Sequence, residues 1–468
     1  MDATSLRTHS ARQLEVEGAS LVGSKVTVCG WMEVMRGGGK VGFIQLRDGT
    51  GHLQAVARRE DLGDEVLDEL SALTRESTLK VTGDVALKRV PKVREGEPAP
   101  PPEYEVVASE VEILTQAAVP LPVGIVDRVH VELDTRLDHR HLDLRRAHVN
   151  AMFELRSLVL RHGREFLAEA SFLEIQTPKI IAAAAEGGTN LFEMTYFNRP
   201  AYLSQSPQLY KQLAVLGGLD RVFEIGPAFR AEHHDTYRHL NEFVSFDIEM
   251  GWADAEDCMI ILERMIAHIW SALSRDSQAD RAIQAINAWR SEQDEDAAPV
   301  MLEELETPFP RVTYDDAIEI IQNAGGEIEW GEDISAEMAD KIAAHHPGFH
   351  FITGWPMEMK PFYIHHDTSQ NADEGKRVIS SGFDLMFGRD EMTSGGQREH
   401  RIEVLEGNLR EMGLEPADFG FYLDGFRYGA PQHAGWGLGV ARLLMVLTGA
   451  SNVREVVLFP RDRRRVTP

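Results

Sequence analysis

Between Val222 and Met250 the chain reads VFEIGPAFRAEHHDTYRHLNEFVSFDIEM, two apolar-rich runs separated by a polar stretch, as in two antiparallel strands joined by a loop. Alternation assigns faces. Arg230 and Glu232 share one side of the first run, and Phe243, Ser245, Asp247 and Glu249 share one side of the second, leaving Val244, Phe246, Ile248 and Met250 for the core. A merely solvated strand face favours Lys and Thr. This one carries an arginine, carboxylates and an aromatic, so it reads as a functional site built from ionisable groups on a rigid sheet. A second polar set lies in QSPQLYKQ, where Ser206 and Pro207 are good helix-start residues and Gln208 and Lys211, three apart, project from one face. Gly437 and Gly439 precede a helical run containing Arg442; by themselves two such glycines would mark a turn. The histidine pairs 233/234, 345/346 and 365/366 lack the helical spacing of metal ligands and read as loop or surface residues, with a substrate-side role open for His365 and His366 after KPFY.

These residues need a frame, and the first third of the chain supplies one kind. Runs of alternating character at Lys25–Met32, Gly42–Asp48, His52–Arg58, Thr78–Lys88 and Tyr104–Thr115, with a helical stretch from Glu60 to Leu73, make the plan of a small five-stranded barrel that binds oligonucleotides on its face. Phe43 and Gln54 would be available there to stack on and hydrogen-bond bases, although a strand phenylalanine is more often packing. From Ala147 the texture changes to long amphipathic helices, Ala147–Ala170 and Asp254–Ser274, alternating with strand-like runs. The fold class is therefore α+β, with a barrel over 1–115 (1–20 an N-terminal extension), a hinge over 116–146, and a mixed domain over 147–468 carrying a solvated acidic insertion at 274–307.

At 468 residues the chain is about three times the usual single-domain length. Its 43% hydrophobic and 26% charged residues exclude collagen, a coiled coil and a disordered tail. Two cysteines, Cys29 and Cys258, are too few for a disulfide framework and lack zinc-site pairing, so no zinc is expected. No stretch approaches the roughly 18 apolar residues of a membrane span, and the start MDATSLRTHSARQLEVEG has no basic cluster followed by an apolar run, so a cytoplasmic protein with no membrane partner is expected. Acidic residues exceed basic ones by 75 − 48 = 27, which repels polyanions at long range and leaves any nucleic-acid binding to a local basic groove.

Motifs sharpen this reading. FRAE followed by a loop ending in RHLNEF resembles motif 2 of class II aminoacyl-tRNA synthetases, GWGLGVARLLMVLTGASNVREVVLFPRDRRRVTP resembles motif 3, and SFLEIQTPKI with Pro178 matches motif 1. In order and spacing, Ser24 to Pro468 is similar to aspartyl-tRNA synthetases of the archaeal and eukaryotic type, which join an anticodon-binding OB-fold barrel to a class II catalytic domain built on an antiparallel sheet flanked by helices. The resemblance implies an ATP site in which Arg230 holds the α-phosphate, Phe243 stacks on adenine and Glu232 accepts from its amino group. Arg238 and His239 would reach the outer phosphates beside Leu240, and Arg442 the γ-phosphate, with Gly439 allowing close approach. It implies Mg2+ on Asp384, Glu391 and Ser394. For aspartate it implies Lys211 and Arg398 on the side-chain carboxylate and Glu186, Gln208 and Asp247 around the ammonium, with Arg230 and Ser394 adjoining. Arg230, Arg442 and Glu391 would be the catalytic groups, and Phe43, Gln54 and Glu33 the anticodon contacts, the first two having the family's eleven-residue separation. Partners would be ATP, aspartate, the aspartate tRNA and a second copy of the chain in a homodimer.

Three positions depart from the pattern. Ala441 stands where the family has an acidic residue beside the motif 3 arginine, Ser171 stands for a motif 1 glycine, and Glu33 stands where aspartate-tRNA-specific members have Trp and broader ones His. Whether the asparagine tRNA is also charged stays open. The alternatives are an asparaginyl-tRNA synthetase, disfavoured by the two cations Lys211 and Arg398, a tRNA-independent asparagine-forming ligase, disfavoured by the barrel, and a tRNA-binding paralogue with impaired catalysis, raised by Ala441.

Overall fold

The computed structural model describes residues 6–37, 39–89, 101–125, 130–182, 191–233, 236–367 and 377–468. They form two compact units, Met1–Arg146 and Ala147–Pro468. No helix among the described residues is long and apolar enough to cross a membrane.

In the first unit, β1 (Lys25–Gly37), β2 (Val41–Asp48), β3 (Gly51–Arg58), β4 (Thr78–Leu87) and β5 (Tyr104–Thr115) close a barrel in the order β1-β2-β3-β5-β4. The period of two decides its interior: Val26 and Val28, Ile44 and Leu46, Ala55 and Ala57, Leu79 and Val81 all point inward and are buried. The N-terminal extension contains α1 (Ala11–Leu21), started by a capping box between Ser10 and Gln13, and Ala11 and Leu14 join the barrel core. The expected helix at 60–73 is broken by Gly63 (φ 85°), so that α2 (Asp64–Ala72) buries Leu67 and Leu70 by itself. Within the expected hinge, residues 133–138 and 140–143 are helical rather than irregular. Two short helices, Leu133–Asp138 and Arg140–Asp143, are tied by the buried Asp143, which accepts from Arg136 at 2.9 Å and Arg140 at 2.6 Å.

The second unit is built on an eight-stranded sheet. Its strands are β6 (Leu173–Glu174), β7 (Arg221–Phe229), β8 (Glu242–Gly251), β9 (Arg311–Thr313), β10 (Phe349–Thr353), β11 (Gly382–Phe387), β12 (Asp390–Gln397) and β13 (His433–Gly439), ordered β9-β10-β11-β12-β13-β8-β7-β6. Only the edge pairs β9/β10 and β6/β7 are parallel; the rest is antiparallel. Phe246, Ile248 and Met250 of β8 pack into one core with α3 (Ala147–Glu169) and α5 (Ala255–Leu273); between these helices in the chain lies α4 (Gln208–Leu216). α5 starts at an Asp254–Asp257 capping box and buries Cys258, Leu262, Met265, Ile266 and Ile269, an apolar stripe at helical spacing. The covered face leaves the other face of β8 free for polar side chains.

Two expectations are corrected. The 274–307 segment is not simply solvated, because α6 (Ser277–Gln293) buries Ala279, Ala282, Ile283 and Ile286 in the main core while Ser291–Asp296 are exposed. Its charges lie on the outer face, and average composition conceals that period. β7 ends at Phe229, so Arg230 and Glu232 are not strand neighbours. They lie on a loop held by Asn241, whose carbonyl accepts from the Arg230 N–H and whose side-chain amide donates to the carbonyls of Arg230 (2.7 Å) and Glu232 (3.1 Å).

Candidate active site

β8 lies between β7 and β13, and the register dictates the site. Gly439, Gly437 and Gly435 of β13 stand directly opposite Ser245, Asp247 and Glu249. A Cβ on Gly435 would come within 2.2 Å of Glu249 Oε2 and 2.3 Å of the Ile248 carbonyl oxygen, and one on Gly437 within 2.9 Å of Asp247 Oδ1. The absent side chains are the space in which the two carboxylates lie. Gly439 differs, since a Cβ there would meet only the Arg442 side chain, at 3.6 Å.

Beneath that trench four charges are paired. Arg398 Nε and Nη2 donate to Glu249 at 3.0 and 3.2 Å, and Nη2 also reaches Gln208 Oε1 at 3.3 Å. Lys211 Nζ donates to Asp247 Oδ1 at 3.0 Å and the Trp436 carbonyl at 3.1 Å, and lies 3.6 Å from Glu249 Oε2. Burial pushes the Glu249 carboxyl up, but the Arg398 guanidinium and Lys211 ammonium outweigh it and hold it below its ordinary range. Two cations and two anions in contact satisfy the condition under which buried charge is tolerated.

Above them opens a cavity of about 580 Å³. Of the expected site residues, Gln208, Arg230, Glu232, Arg238, His239, Leu240, Phe243, Asp247, Glu391, Ser394, Arg398, Gly439 and Arg442 all line it, although they come from separate elements and loops along the chain. The Arg230 guanidinium lies 5.4 Å from the centre of the Phe243 ring and 4.0 Å from Glu232, and its side chain is 44% exposed, leaving most of its donors for an anion. Arg238 is tied to Asp390 at 3.0 Å. Arg442, at the start of α7 (Val440–Thr448), donates to the Glu391 carbonyl at 2.6 Å with the Glu391 carboxylate 3.6 Å away. Glu391 and Ser394 therefore present hard oxygen donors to the cavity.

Lys211 and Asp384 do not line the cavity. Lys211 is 2% exposed, its ammonium committed to Asp247 and Glu249, so it acts from below. Asp384, expected as a metal ligand, adjoins the expected ligand Ser394, whose hydroxyl reaches it, and accepts from Lys360 at 2.7 Å. Burial and the nearby Glu391 raise its carboxyl above its ordinary value despite Lys360. Glu186 and His234 lie outside the described residues. His365 and His366 are also away from the cavity, His365 pairing with Ser381 at 3.0 Å, whereas Lys360 of the same KPFY run lines it. His162, Glu165 and His268 are the one group of such donors among the described residues close enough to share an ion, but the His162 nitrogens already meet Glu165 (2.7 Å) and Arg161 (3.3 Å).

On the barrel, Phe43 opposes Val56 and Gln45 opposes Gln54, so Phe43 and Gln54 share one face as diagonal neighbours. Phe43 is 43% exposed, and the Gln54 amide donates to Glu105 at 2.6 Å. Glu33 sits where the β1/β2 register shifts, and its nearly buried carboxylate is 3.1 Å from both Arg47 and His52. Burial raises that carboxyl, but the His52 hydrogen bond and neighbouring cations bring it below its ordinary value.

Residues 132–463 match the model of class II tRNA synthetases (D, K and N), and residues 26–114 match the OB-fold nucleic acid binding domain. An aspartate–tRNA(Asp/Asn) ligase of Archaeoglobus fulgidus is 45% identical over 446 residues, spanning 95% of this chain and 97% of that one. The chain belongs to the class II tRNA synthetases. An aspartate–tRNA(Asp) ligase of Thermoplasma acidophilum is 41% identical over 446 residues, with the same coverage of each chain. Among solved structures, the asparaginyl-tRNA synthetase of Pyrococcus horikoshii complexed with asparaginyl-adenylate matches with a TM-score of 0.84 at 31% identity, covering 98% of this chain and 99% of that one. In this synthetase the buried Ala441 lines the cavity, and Arg442 is instead oriented from β12 through Glu391. Sequence reasoning also missed Lys360, which stands 4.5 Å over the Trp355 ring; the KPFY run was the signal, read one step too far along.

Proposed function

We propose that this synthetase is an aspartate–tRNA ligase that activates aspartate with ATP and transfers it to the 3′ end of tRNA. The observation that carries this reading is the buried Arg398, facing the cavity beside Gln208 and Asp247, in a chain 45% identical along almost its whole length to a ligase of that name. A guanidinium and its N–H donors at the base of the cavity favour a carboxylate, which accepts at both oxygens, over a neutral amide, whose NH2 would meet those donors with a donor. Gln208 Oε1 and Asp247 are acceptors suited to the substrate ammonium. Phe243 offers a stacking face for adenine, and Arg230, Arg238 and Arg442 offer donors to the phosphates.

The α-carboxylate oxygen of aspartate attacks the α-phosphorus of ATP, forming the aspartyl-adenylate as pyrophosphate leaves with the electrons of the broken P–O bond. The terminal ribose hydroxyl of tRNA then attacks the adenylate carbonyl and AMP leaves. No side chain need become covalently bound; Arg230 takes up charge developing on the α-phosphate, and the cavity holds the reactants in line. Glu391 and Ser394 fit a magnesium ion by their donor chemistry, and an ion bound there would neutralise phosphate oxygens. The barrel would read the anticodon through Phe43 and Gln54. We extend the tRNA range to the asparagine tRNA after the Archaeoglobus relative, and carry over a cytoplasmic homodimer from the family resemblance.

Exchange of labelled pyrophosphate into ATP tests the first step. It should depend on aspartate and ignore asparagine; the reverse dependence would return the asparaginyl reading, and no exchange would favour a tRNA-binding paralogue. Charging aspartate and asparagine tRNA transcripts with labelled aspartate then tests the range, and product on the aspartate tRNA alone would remove the wider reading. Light scattering on the purified protein tests the dimer.

A further inference from the structure

Behind Gln208 runs a buried hydrogen-bond relay. His433 Nδ1 lies 2.8 Å from the Pro431 carbonyl, which can only accept, so Nδ1 carries the proton and Nε2 is left as an acceptor. His433 Nε2 is 2.9 Å from the Gln212 amide nitrogen, which must therefore be the donor. Gln212 Oε1 then faces the other way, where the Tyr422 hydroxyl donates to it at 3.1 Å and the Gln208 amide nitrogen at 3.0 Å. With its nitrogen committed, Gln208 can turn only Oε1 toward Arg398, and Gln208 lines the cavity. Each amide direction follows from the one before, and in every contact of the relay a donor faces an acceptor. Gln212 and His433 are fully buried, so neither direction can be reset by water. Burial also pushes the His433 pKa down, in keeping with a neutral ring.

We propose that His433 is a positioning residue for aspartate recognition, its Nδ1–H tautomer fixing, through Gln212, the direction in which the Gln208 amide faces the cavity. This rests on the aspartate–tRNA ligase reading. Reversal of Gln208 would set its NH2 against Arg398 and against the substrate ammonium, two donor-to-donor contacts where there are now acceptors. Neither His433 nor Gln212 touches the cavity, so the effect is transmitted and concerns aspartate rather than ATP.

The test compares the full-length wild type with His433→Leu, His433→Gln and Gln212→Met in pyrophosphate exchange, following KM for aspartate and for ATP, kcat and thermal unfolding. His433→Leu removes the acceptor, and Gln212→Met removes the relay from its middle. Both should raise KM for aspartate by about five- to tenfold while KM for ATP and kcat stay within about twofold. His433→Gln places an amide oxygen where Nε2 stood and should return KM for aspartate to within about twofold of wild type. If His433→Leu does not fold, Gln212→Met carries the test. An unmoved aspartate KM in Gln212→Met, a His433→Gln enzyme as impaired as His433→Leu, or an equal rise in the ATP KM would overturn the proposal. A wild type without aspartate-dependent exchange would sink the ligase reading itself, whereas an active wild type with unmoved variants sinks only this relay.

Discussion

Lys211 spends its charge on Asp247 and Glu249 rather than on open space, and that changes what its removal should do. Lys211→Met leaves Arg398 as the nearest cation to two buried carboxylates, so a loss of about 3 kcal/mol or more is expected along with loss of aspartate activation. Urea unfolding read beside pyrophosphate exchange checks it; full stability with lost activation would mean that the lysine serves substrate alone. Glu249 gives a pH signature. Its folded carboxyl titrates below the ordinary 4.5, so its stabilisation is complete above that pH and is lost as pH falls through the lower folded value. Glu249→Gln should therefore be less stable than wild type at neutral pH, with a gap that narrows below 4.5; a gap constant across that window would refute the ion pairing. Arg230 has weaker ties, its nearest carboxylate at 4.0 Å, so Arg230→Ala should abolish adenylation without a measurable change in the unfolding midpoint.

The strand β13 carries three glycines with unequal duties. Gly435→Ala forces a Cβ against the Ile248 backbone at 2.3 Å and should cost about 3 kcal/mol. Gly439→Ala meets nothing closer than 3.6 Å and has φ −71°, so it should fold normally while its methyl raises KM for ATP by about fivefold. Equal behaviour of the two variants would contradict the register drawn here. At the start of motif 1, Ser171 holds φ 65°, a conformation that costs a side-chain-bearing residue about 1–2 kcal/mol. Ser171→Gly should raise stability by about 0.5–1 kcal/mol once the greater freedom of the unfolded chain is subtracted, measurable as an increased Tm. Elements of this kind were legible where one period dominated: β8 alternates cleanly, and α5 announces itself with Asp254 and an apolar stripe. α6 was not, because the acidic residues that follow it masked the buried Ala279, Ala282, Ile283 and Ile286.

For the whole molecule, two compact units imply separable defects. Phe43→Ala should leave pyrophosphate exchange unchanged and raise KM for tRNA by about tenfold, the loss of one stacking surface. A chain with a net charge of −27 must bind tRNA through local cations, so added salt should depress charging more steeply than exchange. Parallel salt curves would place the limiting step in the catalytic unit instead.

Sequence by itself determined what depends on neighbours along the chain. Alternation put Asp247 and Glu249 on one face of β8, and the motifs brought Arg230, Phe243, Glu391 and Arg442 to one cavity. Only the tertiary structure decided how the charges are shared: Lys211 with Asp247 across 36 residues, Asp384 with Lys360 across 24, and Arg442 with Glu391 across 51. The energy of such a pair depends on its separation in space and on the water removed around it, and neither quantity is written in residue order.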